Sequence, residues 1–418
     1  MTVEVTTLAN GLTIVTDPMT SVETVALGVW VGAGTRHETA EVNGISHLLE
    51  HMAFKGTARR SAQAIAEEMD NVGGQLNAYT SRDHTAYFAK VLKEDAELAT
   101  DILADILLNS TMDAEELTRE QHVVVQEISQ ANDTPDDIIF DHLQATAFPD
   151  QPLGWPVLGF EKIVRAITPE RLKAHMADQY APDCTVFSAS GAIAHDQVVR
   201  MAERAFGSVT PRPRTAPIPG RYKGGDFREA RDLEQVHLVL GFAGLSHDDP
   251  DYYHLAALST LLGEGLSSRL FQEVREKRGL AYSVFSSTQS FADTGLFTVY
   301  AGTGPEDLPK LVPVLCAEIK RVGETITEDE VKRARAQLKA GLLMSLESPS
   351  SRCAQRARQL QVYGRTLTVA EIIAKVEDVD RTGIARAAGR VLSGPPTIAA
   401  IGDLGPLEDF DRIRARLQ

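Results

Sequence analysis

The spacing of apolar positions divides the chain into short strands and amphipathic helices. Asn10-Gly11 between β-rich runs is a hairpin signal, and 24–31 alternates as a strand. Helical spacing follows over 42–56 and from Ser61 to 72, and 75–91 reads as a strand. Further helices are predicted over 93–108, from Asp113 to 131, over 135–147, from Thr168-Pro169 onward and over 195–206, with a strand at 184–190. Asp113 with Glu116 three residues on resembles a capping box, and Pro169 suits a first helical position. Hairpin-linked strands with grouped helices predict an α+β fold, a largely antiparallel sheet with helices packed on one side.

The pattern then repeats. Residues 25–38 resemble 235–249, and 112–128 resemble 326–343, which sets Gly34 against Gly244 and Asp113 against Thr327. These intervals of 210 and 214 residues mark a duplicated domain, since a solenoid has a far shorter period. Between the copies lies VTPRPRTAPIPGRYKGG, too rich in Pro and Gly for a helix or central strand. The expected organisation is a domain over 1–209, a linker over 210–224 and a homologous domain over 225–418.

Composition narrows the class. The chain has 418 residues, 43% hydrophobic and 24% charged, as in soluble globular proteins. Its 42 Lys+Arg against 58 Asp+Glu argue against a nucleic-acid surface. Cys184, Cys316 and Cys353 show no metal-type spacing and suit a reducing compartment. The N-terminus lacks a signal or transit pattern, and apolar runs are too short to span a membrane. The expected address is the bacterial cytoplasm, with no membrane partner.

The sharpest chemical signal is His47-Leu48-Leu49-Glu50-His51 on a predicted helix. His51 lies roughly 40° from His47 around the helix axis, and Glu50 roughly 60° to the other side. Two imidazoles one turn apart can grip one zinc ion, and the carboxylate beside them can work on water at the metal. Two satisfied histidines on a helix face would carry the same letters. A catalytic zinc needs a third protein ligand, and the helix TREQHVVVQEISQ offers Glu120 and Glu127 on nearly one face. Glu127 is the candidate ligand, with Glu120 placed to orient a water or a ligand; without the histidine motif both would read as solvated carboxylates.

H-x-x-E-H followed some 75 residues later by a helical Glu resembles the pitrilysin/insulinase zinc peptidases, in the branch of the mitochondrial processing peptidase. GISHLLEHMAFKGT, GGQLNAYTSRDHTAYF, REQHVVVQEI and RLFQEVREKRGLAYSV fit in order along essentially the whole chain. The resemblance implies a zinc-dependent metalloendopeptidase with one Zn2+ per subunit on His47, His51 and Glu127. It implies Glu50 as general base and Glu120 in support. It also implies peptide strands adding at Asn77 and Ala78, and substrate contacts from Arg275 and Tyr282.

In the second copy Ala334 and Gly341 stand where Glu120 and Glu127 would be, and 261–271 has no histidine. The first domain is therefore expected to be catalytic and the second to supply substrate contacts. The expected assembly is a homodimer whose site is completed by the partner subunit, acting on peptides or unfolded segments. The alternative is a non-catalytic structural subunit, or one half of a heteromeric peptidase. The partner subunit of the processing peptidase carries a long glycine-rich loop tied to presequence recognition, whereas GEGLSSRLF here is short, with Gly263 and Gly265 alone, so presequence cleavage does not carry over from the resemblance.

Overall fold

A computed structural model describes residues 2–418. Two compact units emerge, and they do not follow the sequence halves. Among the described residues the first comprises 2–129, 155–218 and 343–367; the second comprises 130–154, 219–342 and 368–418.

The first unit holds β1 (Glu4–Thr7), β2 (Thr13–Pro18), β3 (Thr24–Val31), β4 (Gln75–Thr80), β5 (Thr85–Leu92) and β6 (Thr185–Gly191) in the order β1-β2-β6-β3-β5-β4. Only the β2–β6 pair is parallel. The run read as one strand over 75–91 is two, because Ser81 and His84 close a turn: Ser81 N–H donates to the His84 carbonyl at 2.8 Å.

The second unit holds β7 (Gly225–Ala230), β8 (Val236–Gly244), β9 (Ser283–Ser290), β10 (Gly295–Thr303) and β11 (Thr397–Gly402) in the order β7-β11-β8-β10-β9. Here β7 and β11 are the parallel pair, so the five strands reproduce β2-β6-β3-β5-β4 in order and sense. Shared topology across both sheets is the signature of the duplication. Residues 209–224 form neither helix nor strand.

Strand alternation explains why both sheet faces are covered. In β3, Val25, Leu27, Val29 and Val31 join a core with helices Ala96–Leu108 and His195–Phe206. Ala26 and Trp30 point the other way, onto Cys353 and Ala357 of helix Pro349–Tyr363. In the second unit Val239, Ala399 and Ile401 instead meet Ile138, Ile139 and Leu143 of helix Pro135–Ala147. These two helices begin 214 residues apart, the repeat interval, and each packs on the sheet of the other copy. The expected one-sided helix layer therefore gains a reciprocally exchanged third layer. A buried ion pair fastens it in the first unit, where Arg356 Nε meets Asp17 Oδ2 at 2.8 Å with both side chains 3% exposed. Among the described residues no helix is long and apolar enough to cross a membrane.

Candidate metal centre and active site

Helix Ile45–Ala53 carries the histidine motif, and its sequence splits it into two faces. Ile45, Leu48, Leu49 and Met52, at helical spacing, are at most 1% exposed and pack with Leu117, Val124, Val164 and Leu172. His47, Glu50 and His51 occupy the remaining arc and are only half-buried. Gly44 opens the helix at φ +93°, and a Cβ there would lie 2.8 Å from Gly159 Cα, so a glycine is required on both counts.

Helix Ala114–Asn132 brings the distant carboxylates to this arc. Glu127 Oε2 lies 3.6 Å from His47 Nε2 and 3.6 Å from His51 Nε2, and one ligand atom from each residue falls within 4.8 Å of the others. Tetrahedral ligands about 2.0–2.1 Å from zinc sit roughly 3.3–3.5 Å apart, so the three donors suit that ion with little adjustment. Two imidazole nitrogens and a carboxylate oxygen are also the donor set of catalytic zinc sites with an open fourth position. Burial, with help from the neighbouring His51, pushes the His47 imidazole down to about 3; it stays neutral, as a metal ligand must.

Glu120 is 5% exposed and bonds the His51 ring. Its Oε2 lies 3.0 Å from His51 Nδ1, which directs the ring's other nitrogen toward Glu127. Its Oε1 takes the Lys55 ammonium at 2.7 Å, so the inward carboxylate has a cation partner. Lys55 escaped the sequence reading, although its i+4 spacing from His51 placed it on the same face.

Glu50 has a partner that sequence spacing did not suggest: Thr80 Oγ1 donates to its Oε2 at 2.6 Å. Burial raises the Glu50 carboxyl above its ordinary value, and the Thr80 hydrogen bond pulls it back. Thr80 ends β4, the edge strand of its sheet, on which Asn77 and Ala78 also lie. Ala78 N–H is engaged by the Asn77 side chain at 2.8 Å.

Arg275 and Tyr282 belong to the second unit. The Arg275 guanidinium stacks over the rings of Phe271, at 4.9 Å, and Tyr282, at 4.5 Å. Tyr282 is 76% exposed, an unusual exposure for so large an apolar ring, and the stack holds the pair together. At the position matching Glu120, Ala334 is buried, and the glycine matching Glu127 carries no ligand atom.

The insulinase (peptidase family M16) profile matches residues 13–160, and the peptidase M16 inactive-domain profile matches 166–338. An uncharacterized zinc protease of Bacillus subtilis is 40% identical over 96% of this chain and 98% of its own length. A probable mitochondrial-processing peptidase subunit beta of Arabidopsis thaliana is 36% identical over 99% of this chain and 80% of its own. The crystal structure of a Helicobacter pylori protease superposes with a TM-score of 0.88 at 26% identity, covering 96% of this chain and 99% of that one. A chain of complex III from Candida albicans, at 23% identity, shares the fold with a TM-score of 0.89 over the full length of both chains. With two M16 domains spanning most of its length and a His–His–Glu group that could hold a metal ion on the first, the chain belongs to the M16 insulinase family of peptidases, close to the processing-peptidase branch.

Proposed function

We propose that this protein is a zinc-dependent endopeptidase acting on peptides or unfolded segments. The observation that carries the reading is the convergence of both Nε2 atoms on Glu127 Oε2, with Glu50 on the same helix arc. His47, His51 and Glu127 hold the ion. When bound, zinc supplies a Lewis acid that acidifies water and polarises a carbonyl.

The protein's own groups do the remainder. Glu50, steered by Thr80 Oγ1, takes the proton of the attacking water and passes it to the leaving amine. Burial raises its proton affinity, which favours that transfer near neutrality. Glu120 keeps His51 in the tautomer with Nε2 free. The exposed edge of β4 accepts substrate as an added strand, with Asn77 and Ala78 among the contacts, so main-chain bonds supply affinity with little sequence demand. Arg275 and Tyr282 hydrogen-bond the scissile carbonyl or the developing oxyanion in the site of a second copy, making the working form a homodimer. Free cysteines suit a reducing compartment such as the bacterial cytoplasm.

The test is cleavage of a quenched peptide library, with and without a zinc chelator. Glu50→Gln is expected to keep zinc and lose turnover; unchanged turnover removes Glu50 as the base. Mixing Glu50→Gln with Arg275→Ala subunits is expected to restore part of the activity, and no recovery argues against a site completed in trans. A second reading is a non-catalytic structural subunit, which an absence of both zinc and cleavage would support.

A further inference from the structure

The segment that joins β3 to the metal-binding helix contains a buried carboxylate with no part in the reading above. Glu38 is 4% exposed. Its Oε2 accepts from Asn43 Nδ2 at 2.9 Å and from Gly44 N–H at 2.8 Å, while Oε1 accepts from Ser46 N–H at 2.8 Å. Gly44 is the N-cap of helix Ile45–Ala53, and Ser46 is the residue before His47. The carboxylate thus satisfies donors that a helix N-terminus leaves unpaired, at the end where the helix dipole favours negative charge. Gly44 has no side chain to cap with, so the cap is imported from six residues upstream.

The same segment is tied to the other element that holds Glu50. Thr35 and Arg36 donate their N–H groups to the carbonyls of Ser81 and Arg82, each at 3.1 Å. Arg36 also meets Asp83 at 2.8 Å. Those acceptors follow directly on Thr80, whose hydroxyl steers Glu50. One side of the 34–46 connection is therefore bonded to the turn after β4, and the other to the helix carrying His47, Glu50 and His51. Asn43 extends the anchorage by donating to the Pro156 carbonyl at 3.2 Å.

From this geometry we propose that Glu38 is a positioning residue of the active site. Its carboxylate sets the register of the metal-binding helix against the edge strand, so that Glu50 meets Thr80 while both histidines face Glu127. This inference rests on the peptidase reading. It adds a residue whose loss disturbs the site without touching metal, water or substrate.

The test is Glu38→Gln in the full-length protein. The amide group places a donor where an N–H now donates, so at least one amide at the helix start loses its acceptor. Expected are a zinc Kd raised about tenfold and a kcat lowered about 100-fold with KM within about twofold. The far-UV circular dichroism of the zinc-free protein should match wild type. A zinc Kd and kcat equal to wild type overturn the assignment. Equal falls in kcat and in the folded fraction overturn it too, since they reduce Glu38 to a stability residue. If Glu38→Gln does not fold, Asn43→Ala removes one donor and leaves the two backbone ones; a smaller shift of zinc Kd in the same direction is expected, and none overturns the proposal. A wild-type protein that neither binds zinc nor cleaves peptides would instead sink the peptidase reading, a distinguishable result.

Discussion

The two units are built on one strand plan, yet among the described residues only the first brings together a His–His–Glu group that could hold a metal ion. Their helices show why. Helix Ile45–Ala53 buries one face and leaves His47, Glu50 and His51 on a partly open arc. Helix Tyr252–Gly263, in the region matching the motif, is buried at every position from Ala257 to Gly263. A ring or carboxylate on that stretch would need a desolvated partner at every point, and the chain supplies apolar or small residues instead. A duplicated scaffold thus keeps its core pattern readily, while a metal site also demands an uncovered polar face and a second helix to complete it.

Substitutions in each unit test that contrast. The largest expected effect is Glu127→Gln, which should abolish zinc binding and cleavage, measured by metal analysis after dialysis. Gly341→Glu at the matching position should leave the count at one zinc per chain, because no histidine pair faces it; a second zinc would break the comparison. Next comes Leu143→Ala on the exchanged helix of the second unit, where it packs against the sheet, expected to cost about 2–5 kcal/mol in chemical denaturation through cavity formation. A cost below 1 kcal/mol would mean that the third layer contributes little. Glu120→Gln should weaken zinc about 10–100-fold while the ion still binds, since it loosens the orientation of His51 without deleting a ligand.

The smallest effect is on pH dependence. Burial lowers His37 to about 3, and His84 and His175 to about 4, all in the first unit. The unfolded chain protonates these rings near 6.5 while the folded one does not, so stability is full above that pH and falls as pH drops toward 4. Burial raises Glu38 to about 7, with the opposite sign, because the folded chain then holds the extra proton between 7 and the ordinary carboxylate value. His47, likewise held near 3 by burial, joins these three rings, and together they outweigh the opposite pull of Glu38 and Glu50, so the net effect is a loss of stability as pH falls below 6.5. Urea midpoints at pH 7.5 and 5.5 check this: the midpoint should be lower at 5.5, and an equal or higher one rejects the assignment of buried neutral rings.

Local pattern carried much of this protein. Strand Thr24–Val31 and helices Pro135–Ala147 and His195–Phe206 begin and end where periodicity places them, because each buries a face at its own repeat. The motif was equally legible, since His47 and His51 share a face in any helix. The turn at Ser81–His84 was not, because its flanking residues continue the alternation without a Gly or Pro to mark it. Lys55 lay within reach of helical spacing, whereas Thr80 and Glu38 did not: each acts on a residue of another element, at an interval no local repeat encodes.

What the chain determined by itself was the set of amphipathic elements, their duplication and the chemistry of the donors, all consequences of short-range periodicity and residue type. Which sheet each exchanged helix covers, and the 3.6 Å approach of Glu127 to both histidines, were decided by tertiary packing alone. An amphipathic helix specifies that a face must be buried but not against which surface, and two carboxylates on one helix become different groups only when another helix meets one at its metal edge and the other at its ring nitrogen.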